Sequence, residues 1–227
     1  VKYGRAAFMQ HSEKARELAV SMVQVGTQLG INVTAQLTQM DHPLGNWLGN
    51  SHEIYESIQC LKGMGPEDTM ELVYAQGKAL GFDLEEVIGN GTALNEFREM
   101  LIRQGVEIEI ADQLLQDPWS VLPKGPQQYV LKAEQTGHIA DIDALILGQV
   151  LCEAGAGRSR QGQEIDHGIG IQLHKKVSKH VEEGESILTL DADYGFDVHL
   201  LQRLKDAIKI SEYQVKDGSR ILETITI

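Results

Sequence analysis

The start of the chain carries a strand, a helix and a second strand in succession, and this order constrains the fold more than any other feature. Residues 1–3 have the character of a buried strand that runs into a turn at Gly4. Ser12 is a favourable N-cap for a helix that ends near Gly30, and the alternation over residues 31–37 predicts a second strand. Because two strands joined by a helix lie parallel in one sheet, we expect a βαβ unit that binds ligands at the carboxyl ends of its strands.

The middle of the chain has the periodicity of a helical layer. Asn50, with Glu53 at capping-box spacing, begins one helix. Pro66 begins the next, and another covers residues 92–104. The apolar side chains expected to face inward are Ile54, Ile58, Leu61, Leu94, Phe97 and Leu101 and, in the first helix, Ala15, Leu18, Ala19, Met22 and Leu29.

A change of character near residues 122–126 predicts a domain boundary, because this LPKGP stretch combines two prolines with a glycine. We therefore expect an α/β domain over residues 1–122, with a partial parallel sheet and flanking helices. A smaller α+β domain is expected over residues 127–227. Its predicted elements are strands at 129–133 and 138–142 around a turn, helices at 143–153 and 198–208, a hairpin at 182–190 and a hairpin turn at Asp217.

The charge of the chain excludes several classes of partner. Its 33 acidic residues against 20 basic residues give a formal net charge of -13, which repels nucleic acid phosphates and anionic lipid surfaces. The longest apolar run, residues 144–151, is far shorter than the roughly 20 residues of a membrane-spanning helix. The only cysteines, Cys60 and Cys152, form neither a disulfide framework nor a zinc motif. We expect no nucleic acid and no membrane partner, and a reducing cytoplasm.

The residues on their own form no complete catalytic constellation. The 8 histidines lack the close spacing of a metal-binding helix, and surface or capping roles are expected for them. Gly155 and Gly157 could leave backbone amides free for an anion. The lysine-serine or lysine-threonine pair of a phosphate loop does not follow, which favours a plain turn.

Three stretches, in this order, resemble the thymidine phosphorylase or pyrimidine nucleoside phosphorylase family. They are VKYGRAAFM at 1–9, TQMDHPLGNWLGN at 38–50 with HEIYES at 52–57, and GAGR at 155–158 with GIGI at 168–171. The chain is similar to the C-terminal portion of such a protein. Residues 1–122 then correspond to the later part of the catalytic α/β domain, and residues 127–227 to a hammerhead-like α+β domain. Arg5 departs from the family pattern, in which a small residue is more usual.

The resemblance implies a pentosyltransferase. Such enzymes use inorganic phosphate as co-substrate to displace the pyrimidine from C1 of the sugar, which yields free base and (deoxy)ribose 1-phosphate. It also implies a homodimer. In the family, the groups that grip the phosphate and the base would precede Val1, so we expect the chain to begin partway through a longer protein and to be inactive by itself.

The resemblance also assigns site residues in this sequence. Phe8 corresponds to an apolar wall beside the pyrimidine, whereas the sequence pattern on its own favours a core residue beneath a turn. The carbonyls of Leu44 and Trp47 and the carboxylate of Glu56 correspond to ligands of a monovalent cation, potassium. Oxygen ligands suit such a hard cation, although without the family match Glu56 would be interpreted as a solvated glutamate.

Other functions stay open at this point. One is a nucleoside monophosphate phosphorylase, whose discriminating contacts would lie mostly outside this chain. Another is a catalytically silent paralogue that acts as a binding module, which Arg5 would support. A lipoyl- or biotinyl-carrier relative is disfavoured, because the carrier-like stretch 181–190 lacks a lysine at the hairpin tip.

Overall fold

The computed structural model describes residues 1–158, 160–193 and 195–226. Within these residues, eight α-helices and ten β-strands form the secondary structure, and the strands are arranged in three sheets. The helices are α1 Ser12–Gln28, α2 Asn50–Leu61, α3 Glu67–Ala79, α4 Leu84–Gly89, α5 Thr92–Arg103, α6 Ile108–Gln116, α7 Ala144–Leu151 and α8 Val198–Asp206. The strands are β1 Lys2–Tyr3, β2 Ala35–Gln39, β3 Trp47–Gly49, β4 Gln127–Lys132, β5 Gly137–Ile142, β6 Gly170–Leu173, β7 His180–Val181, β8 Ser186–Ala192, β9 Ile208–Ser211 and β10 Ile221–Ile225.

The first sheet confirms the βαβ unit. Strand β1 pairs in parallel with β2, with Lys2 opposite Thr38, and α1 lies between them in the chain. Strand β10, from the far end of the sequence, pairs with the other edge of β2 in antiparallel orientation. The resulting order β1-β2-β10 makes a mixed sheet, so the predicted α/β class is confirmed.

The inward face of α1 is narrower than the predicted one. Ala15 and Ala19 are buried as predicted, and Val23 is buried with them. Leu18 and Met22 are instead 37% and 53% exposed. A sheet of three strands covers only a thin stripe of a helix, and residues at spacings of four fill that stripe. Leu29 is also exposed, because α1 has already ended at Gln28.

Helices α2 to α6 form the predicted helical layer around a small apolar cluster of Cys60, Met70 and Ile88. Helix α5 has no buried residue. Its predicted inward side chains, Leu94, Phe97 and Leu101, are only half-buried because so small a cluster covers little of the helix. In the described part of the chain, every helix is too short or too polar to cross a lipid bilayer.

The predicted hairpins after residue 126 are wrong. Strands that follow each other in the sequence lie in different sheets: β4 and β8 belong to the order β3-β6-β8-β4, and β5 and β7 to the order β7-β5-β9. Strands β9 and β10 are likewise separated. The chain changes sheets at its turns because the apolar faces of both sheets fill one core, in which Ile139 of β5 and Leu188 of β8 are both fully buried.

Residues 122–126 do not separate the sheets. Strand β3, which precedes them, pairs with β6, which follows them, and β10 pairs with β2 across the same point. Gly125 donates its N–H to the carbonyl of Gly168 at 2.9 Å, so this stretch is fastened to the second half. The division into domains at 1–122 and 127–227 stays a prediction.

Candidate functional site

Two backbone segments meet at the carboxyl ends of the parallel strands, residues 4–9 after β1 and residues 40–47 after β2. We call them together the strand-end edge. Ala6 donates its N–H to the carbonyl of Met40 at 3.3 Å. Gly4 has a φ of +118°, and a Cβ there would stand 2.8 Å from Oδ1 of Asp41. Both the backbone angle and the close approach therefore require glycine at this point. The carboxyl ends of parallel strands are where such sheets bind ligands.

Phe8 is fully exposed at the tip of the first segment. The turn beneath it is closed by bonds of 3.0 Å from the N–H of Gly4 to the carbonyl of Met9 and from the N–H of Ala7 to that of Gly4. The interpretation of Phe8 as a core residue is therefore wrong. An aromatic ring outside the core is free to contact a ligand, and its role in substrate binding stays a prediction.

Lys176 is inserted into the second segment. Its ammonium donates to the carbonyls of Pro43, at 3.1 Å, and of Gly45, and to Oδ2 of Asp68 at 2.9 Å. Burial lowers the pKa of Lys176, and the negative charge of Asp68 opposes that shift. The loop carbonyls thus contact a positive charge supplied by the second half of the chain.

Arg220 reaches the same loop from the start of β10. Its guanidinium is almost fully buried and donates to the carbonyls of His42, at 3.1 Å, and of Pro43, at 2.8 Å. It shares Oδ2 of Asp68 with Lys176, also at 2.9 Å. Burial would raise the pKa of Asp68, but these two cations outweigh it, and the pKa lies below its ordinary value. The carboxylate therefore stays ionised between its partners.

Glu56, on α2, lies against this loop. Its side chain is only 7% exposed, so its interpretation as a solvated glutamate is wrong. Burial raises its pKa to about 7, although Oε1 accepts a hydrogen bond of 2.6 Å from the N–H of Asn46. A Cβ on Gly45 would collide with Oε2. Gly45 is thus required by the approach of a carboxylate whose burial leaves its charge poorly compensated.

The backbone of Trp47 faces the same carboxylate. The N–H of Trp47 lowers the pKa of Glu56 slightly, against the larger effect of burial. Leu44 belongs to the same loop as Trp47, and the role of Leu44, Trp47 and Glu56 as cation ligands stays a prediction.

The predicted donor set of two carbonyls and a carboxylate consists of oxygen atoms, which is the chemistry that a hard monovalent cation prefers. In the described part of the chain, three or more His, Cys, Asp or Glu side chains do not come together as they would for a transition metal. The predicted ligands therefore have the oxygen chemistry that the predicted cation requires.

A buried pair between His52 and Asp191 was not anticipated. Nε2 of His52 lies 2.8 Å from Oδ2 of Asp191, and both side chains are fully buried. Burial would raise the pKa of Asp191, but hydrogen bonds from His52 and Gln128 outweigh it and lower the pKa. The expectation of surface or capping roles for the histidines is wrong here. The pair joins α2 to β8 across 139 residues of sequence, a separation that no local pattern reveals.

The GAGR stretch begins inside a π-helical turn, Cys152–Ala156, where Gly155 has a φ of +112°. Asn50, at the start of α2, donates to the carbonyl of Ala156 at 2.9 Å. A cavity of about 210 Å³ between these elements is also lined by Glu53. This carboxylate would repel an anion, so the geometry favours the plain turn.

Comparison with known proteins gives a consistent result. The family model for the pyrimidine nucleoside phosphorylase C-terminal domain matches residues 138–211. The pyrimidine-nucleoside phosphorylase of Bacillus subtilis is 39% identical over 224 residues, which cover 93% of this chain and 51% of that protein. The pyrimidine-nucleoside phosphorylase of Staphylococcus epidermidis is 38% identical over 223 residues, which cover 92% of this chain and 50% of that protein. The pyrimidine-nucleoside phosphorylase of Staphylococcus aureus is 34% identical over 228 residues, which cover 95% of this chain and 52% of that protein. The chain spans about half the length of the curated relatives it matches.

Proposed function

We propose, from the premise that this chain is related over most of its length to the pyrimidine nucleoside phosphorylases, that it is part of an enzyme that cleaves pyrimidine nucleosides with inorganic phosphate. The products are free base and (deoxy)ribose 1-phosphate. The observation that carries the proposal is the 39% identity over 93% of the chain. Homodimeric assembly and a cytoplasmic location belong to the same proposal.

Phe8 forms one wall of the pyrimidine site in this proposal. The sugar gains positive charge in the transition state and the base gains negative charge. Groups of the protein stabilise these charges more strongly where water is excluded from the reacting bond. A flat apolar side chain beside the base excludes water from it. The full exposure of Phe8 at the carboxyl edge of β1 supports this role.

A potassium ion is held at the second segment of the strand-end edge. Its ligands are the carbonyls of Leu44 and Trp47 and the carboxylate of Glu56. The ion supplies positive charge that ties this loop to the phosphate-binding segment of the intact protein. The burial of Glu56 supports the proposal, because a buried carboxylate with a pKa of about 7 gains from a nearby cation.

A kinetic assay of the full-length protein tests the proposed reaction. We expect release of thymine from thymidine, or of uracil from uridine, that depends on added phosphate. We expect the 227-residue chain by itself to release neither base, because it spans only about half the length of the pyrimidine-nucleoside phosphorylases it matches. A full-length protein without phosphate-dependent release would refute the function, and release by the purified 227-residue chain would refute its inactivity.

The role of Phe8 can be tested in the same assay. Phe8→Ala should lower kcat/KM by roughly tenfold or more, the effect of losing an apolar wall in a substrate pocket. Phe82→Ala is the matched control, because Phe82 is also exposed but follows α3, away from the strand-end edge. Equal kinetics for the two variants would place the pyrimidine site elsewhere.

A further inference from the structure

The geometry points to Arg5 as a positioning residue that fastens the turn carrying Phe8 to the beginning of α7. The inference rests on the proposed function, since Phe8 is the substrate-side residue that the turn would place. Arg5 does not itself contact substrate in this inference, and its charge is satisfied inside the protein.

Arg5 grips two aspartates at the end of β5. Its Nη1 and Nη2 donate to Oδ2 and Oδ1 of Asp141 at 2.9 Å and 2.6 Å, and Nη1 also donates to Oδ2 of Asp143 at 2.9 Å. Planar two-point pairing of this kind fixes direction as well as distance. The side chains of both aspartates are 16% exposed and that of Arg5 is 36% exposed. The contact is therefore better shielded from water than an ordinary surface ion pair.

Asp143 connects Arg5 to helix α7. Its Oδ1 accepts hydrogen bonds from the N–H groups of Leu145 and Ile146, so it is the side-chain N-cap of α7. Its Oδ2 accepts from Arg5. One carboxylate therefore joins the turn to a helix that packs into the C-terminal core through Leu147 and Val150.

The other end of the contact is Asp41, which follows β2. Arg5 donates its backbone N–H to Oδ1 of Asp41 at 2.9 Å and its Nη2 to the carbonyl of the same residue at 3.2 Å. Ala144, the first residue of α7, donates to that carbonyl as well, at 3.1 Å. The turn after β1, the loop after β2 and the start of α7 thus meet at one arginine.

The charges around Arg5 favour this arrangement. The hydrogen bond to Asp141 raises the pKa of the arginine above its ordinary value, and the same bond lowers the pKa of Asp141. His42 and Lys209 also approach Asp141, at 3.2 Å and 3.6 Å. An arginine whose terminal nitrogens face carboxylates in this way is directed into the protein. Its departure from the small residue more usual in the family therefore does not imply a blocked substrate site.

The contacts of Arg5 bear on the position of Phe8, which the same turn carries. Because its side chain is fully exposed, no packing fixes the ring, and its position follows from the backbone of the turn. That backbone is held by the bonds between Gly4 and Met9 and by Arg5. Loss of Arg5 should therefore let the turn open more often without unfolding the core.

Amide hydrogen exchange in the full-length protein tests the inference directly. The reporters are the N–H groups of Gly4 and Ala7, which close the turn. We expect Arg5→Gln to speed their exchange about tenfold or more, with a smaller increase in Arg5→Lys, which keeps the charge and loses the two-point pairing. Arg16→Gln is the control, because its ion pair with Glu223 is exposed.

Pairing with Asp141 is tested by a double-mutant cycle. Asp141→Asn should speed exchange at Gly4 and Ala7, and Arg5→Gln combined with Asp141→Asn should exchange no faster than Arg5→Gln does. In kinetics, the Arg5 variants should raise KM for the nucleoside at least threefold, with a smaller change in kcat. If Arg5→Gln unfolds the protein, Arg5→Lys and Asp141→Asn decide the question.

The outcomes separate this inference from the proposed function. Unchanged exchange at Gly4 and Ala7 in a folded Arg5 variant would overturn the fastening. Faster exchange with unchanged KM would overturn the link to the substrate side. A full-length protein without phosphorolysis would overturn the proposed function. The fastening of the turn by Arg5 would then still be tested by amide hydrogen exchange and by the double-mutant cycle with Asp141.

Discussion

The strand-end edge and the C-terminal core are held together by different forces. In the core, Ile187, Leu188 and Leu190 of β8 are buried among other apolar side chains. At the edge, backbone carbonyls and carboxylates are held by Lys176 and Arg220 and by the other cationic groups described above. Apolar burial is strong and without direction, whereas charged hydrogen bonds fix geometry. The core therefore supplies stability, and the edge supplies a defined shape for a ligand.

The strand-end edge depends on the C-terminal half of the chain for its cationic contacts. Lys176 and Arg220 belong to the second half of the chain, and so does Asp141, the main partner of Arg5. The strand-end edge consequently takes its shape only when the C-terminal half has folded. Weakening the core should disturb the edge, whereas weakening the edge should leave the core intact.

The largest effect is expected in the core. Leu188→Ala removes a fully buried side chain from β8 and should lower the free energy of unfolding by about 2–5 kcal/mol. Leu222→Ala, at a side chain that is 57% exposed, should change it by less than about 0.5 kcal/mol. Equilibrium denaturation of the full-length protein measures both. Similar losses would show that β8 does not carry the stability assigned to it.

An intermediate effect is expected from two glycines with the same backbone conformation. Gly45 and Gly30 have φ values of +71° and +74°, so alanine costs roughly 1–2 kcal/mol at either from backbone strain alone. A Cβ on Gly30 meets nothing within 4 Å, whereas one on Gly45 collides with Glu56. Gly45→Ala should therefore destabilise by at least about 1 kcal/mol more than Gly30→Ala. Equal denaturation midpoints for the two variants would contradict the close approach of Glu56.

The smallest effect concerns the proposed potassium ion. A ligand that binds only the folded state stabilises it by mass action, so the Tm of the full-length protein should be about 2 °C or more higher in potassium than in sodium. Matched ionic strength controls for screening of the acidic surface. Glu56→Gln should lose most of this difference.

Glu53→Gln is the matched control for Glu56→Gln, because Glu53 is exposed on the same helix. It should keep the difference between potassium and sodium. An equal response of the two variants to potassium would show that Glu56 is not a ligand and that this chain does not have the cation site that the resemblance implies.

Local patterns predicted the early part of the fold well. The strand-helix-strand unit and the helices that begin after Gly49 and Pro66 follow from periodicity. The predicted caps at Ser12 and Asn50 are wrong, because the N-caps of these helices are His11 and Gly49 and neither residue caps its helix with a side chain. The same reasoning gave the wrong pairing after residue 126, because a strand pattern states which face is apolar and not which sheet the strand will join. The prediction that Leu18 and Met22 face inward was wrong for a related reason, because the sequence of a helix does not reveal how wide a sheet will cover it.

The candidate site divides along the same line. The order of residues was enough to place Phe8 on the segment after β1 and Glu56 on the helix that follows the loop after β2, since those positions depend on neighbours within a few turns of chain. The burial of Glu56, the contact of Lys176 with its loop and the contact of Arg5 with Asp141 could not be anticipated. Arg5 and Asp141 are 136 residues apart, and a charge finds such a partner only when the packing of the core has brought their elements together.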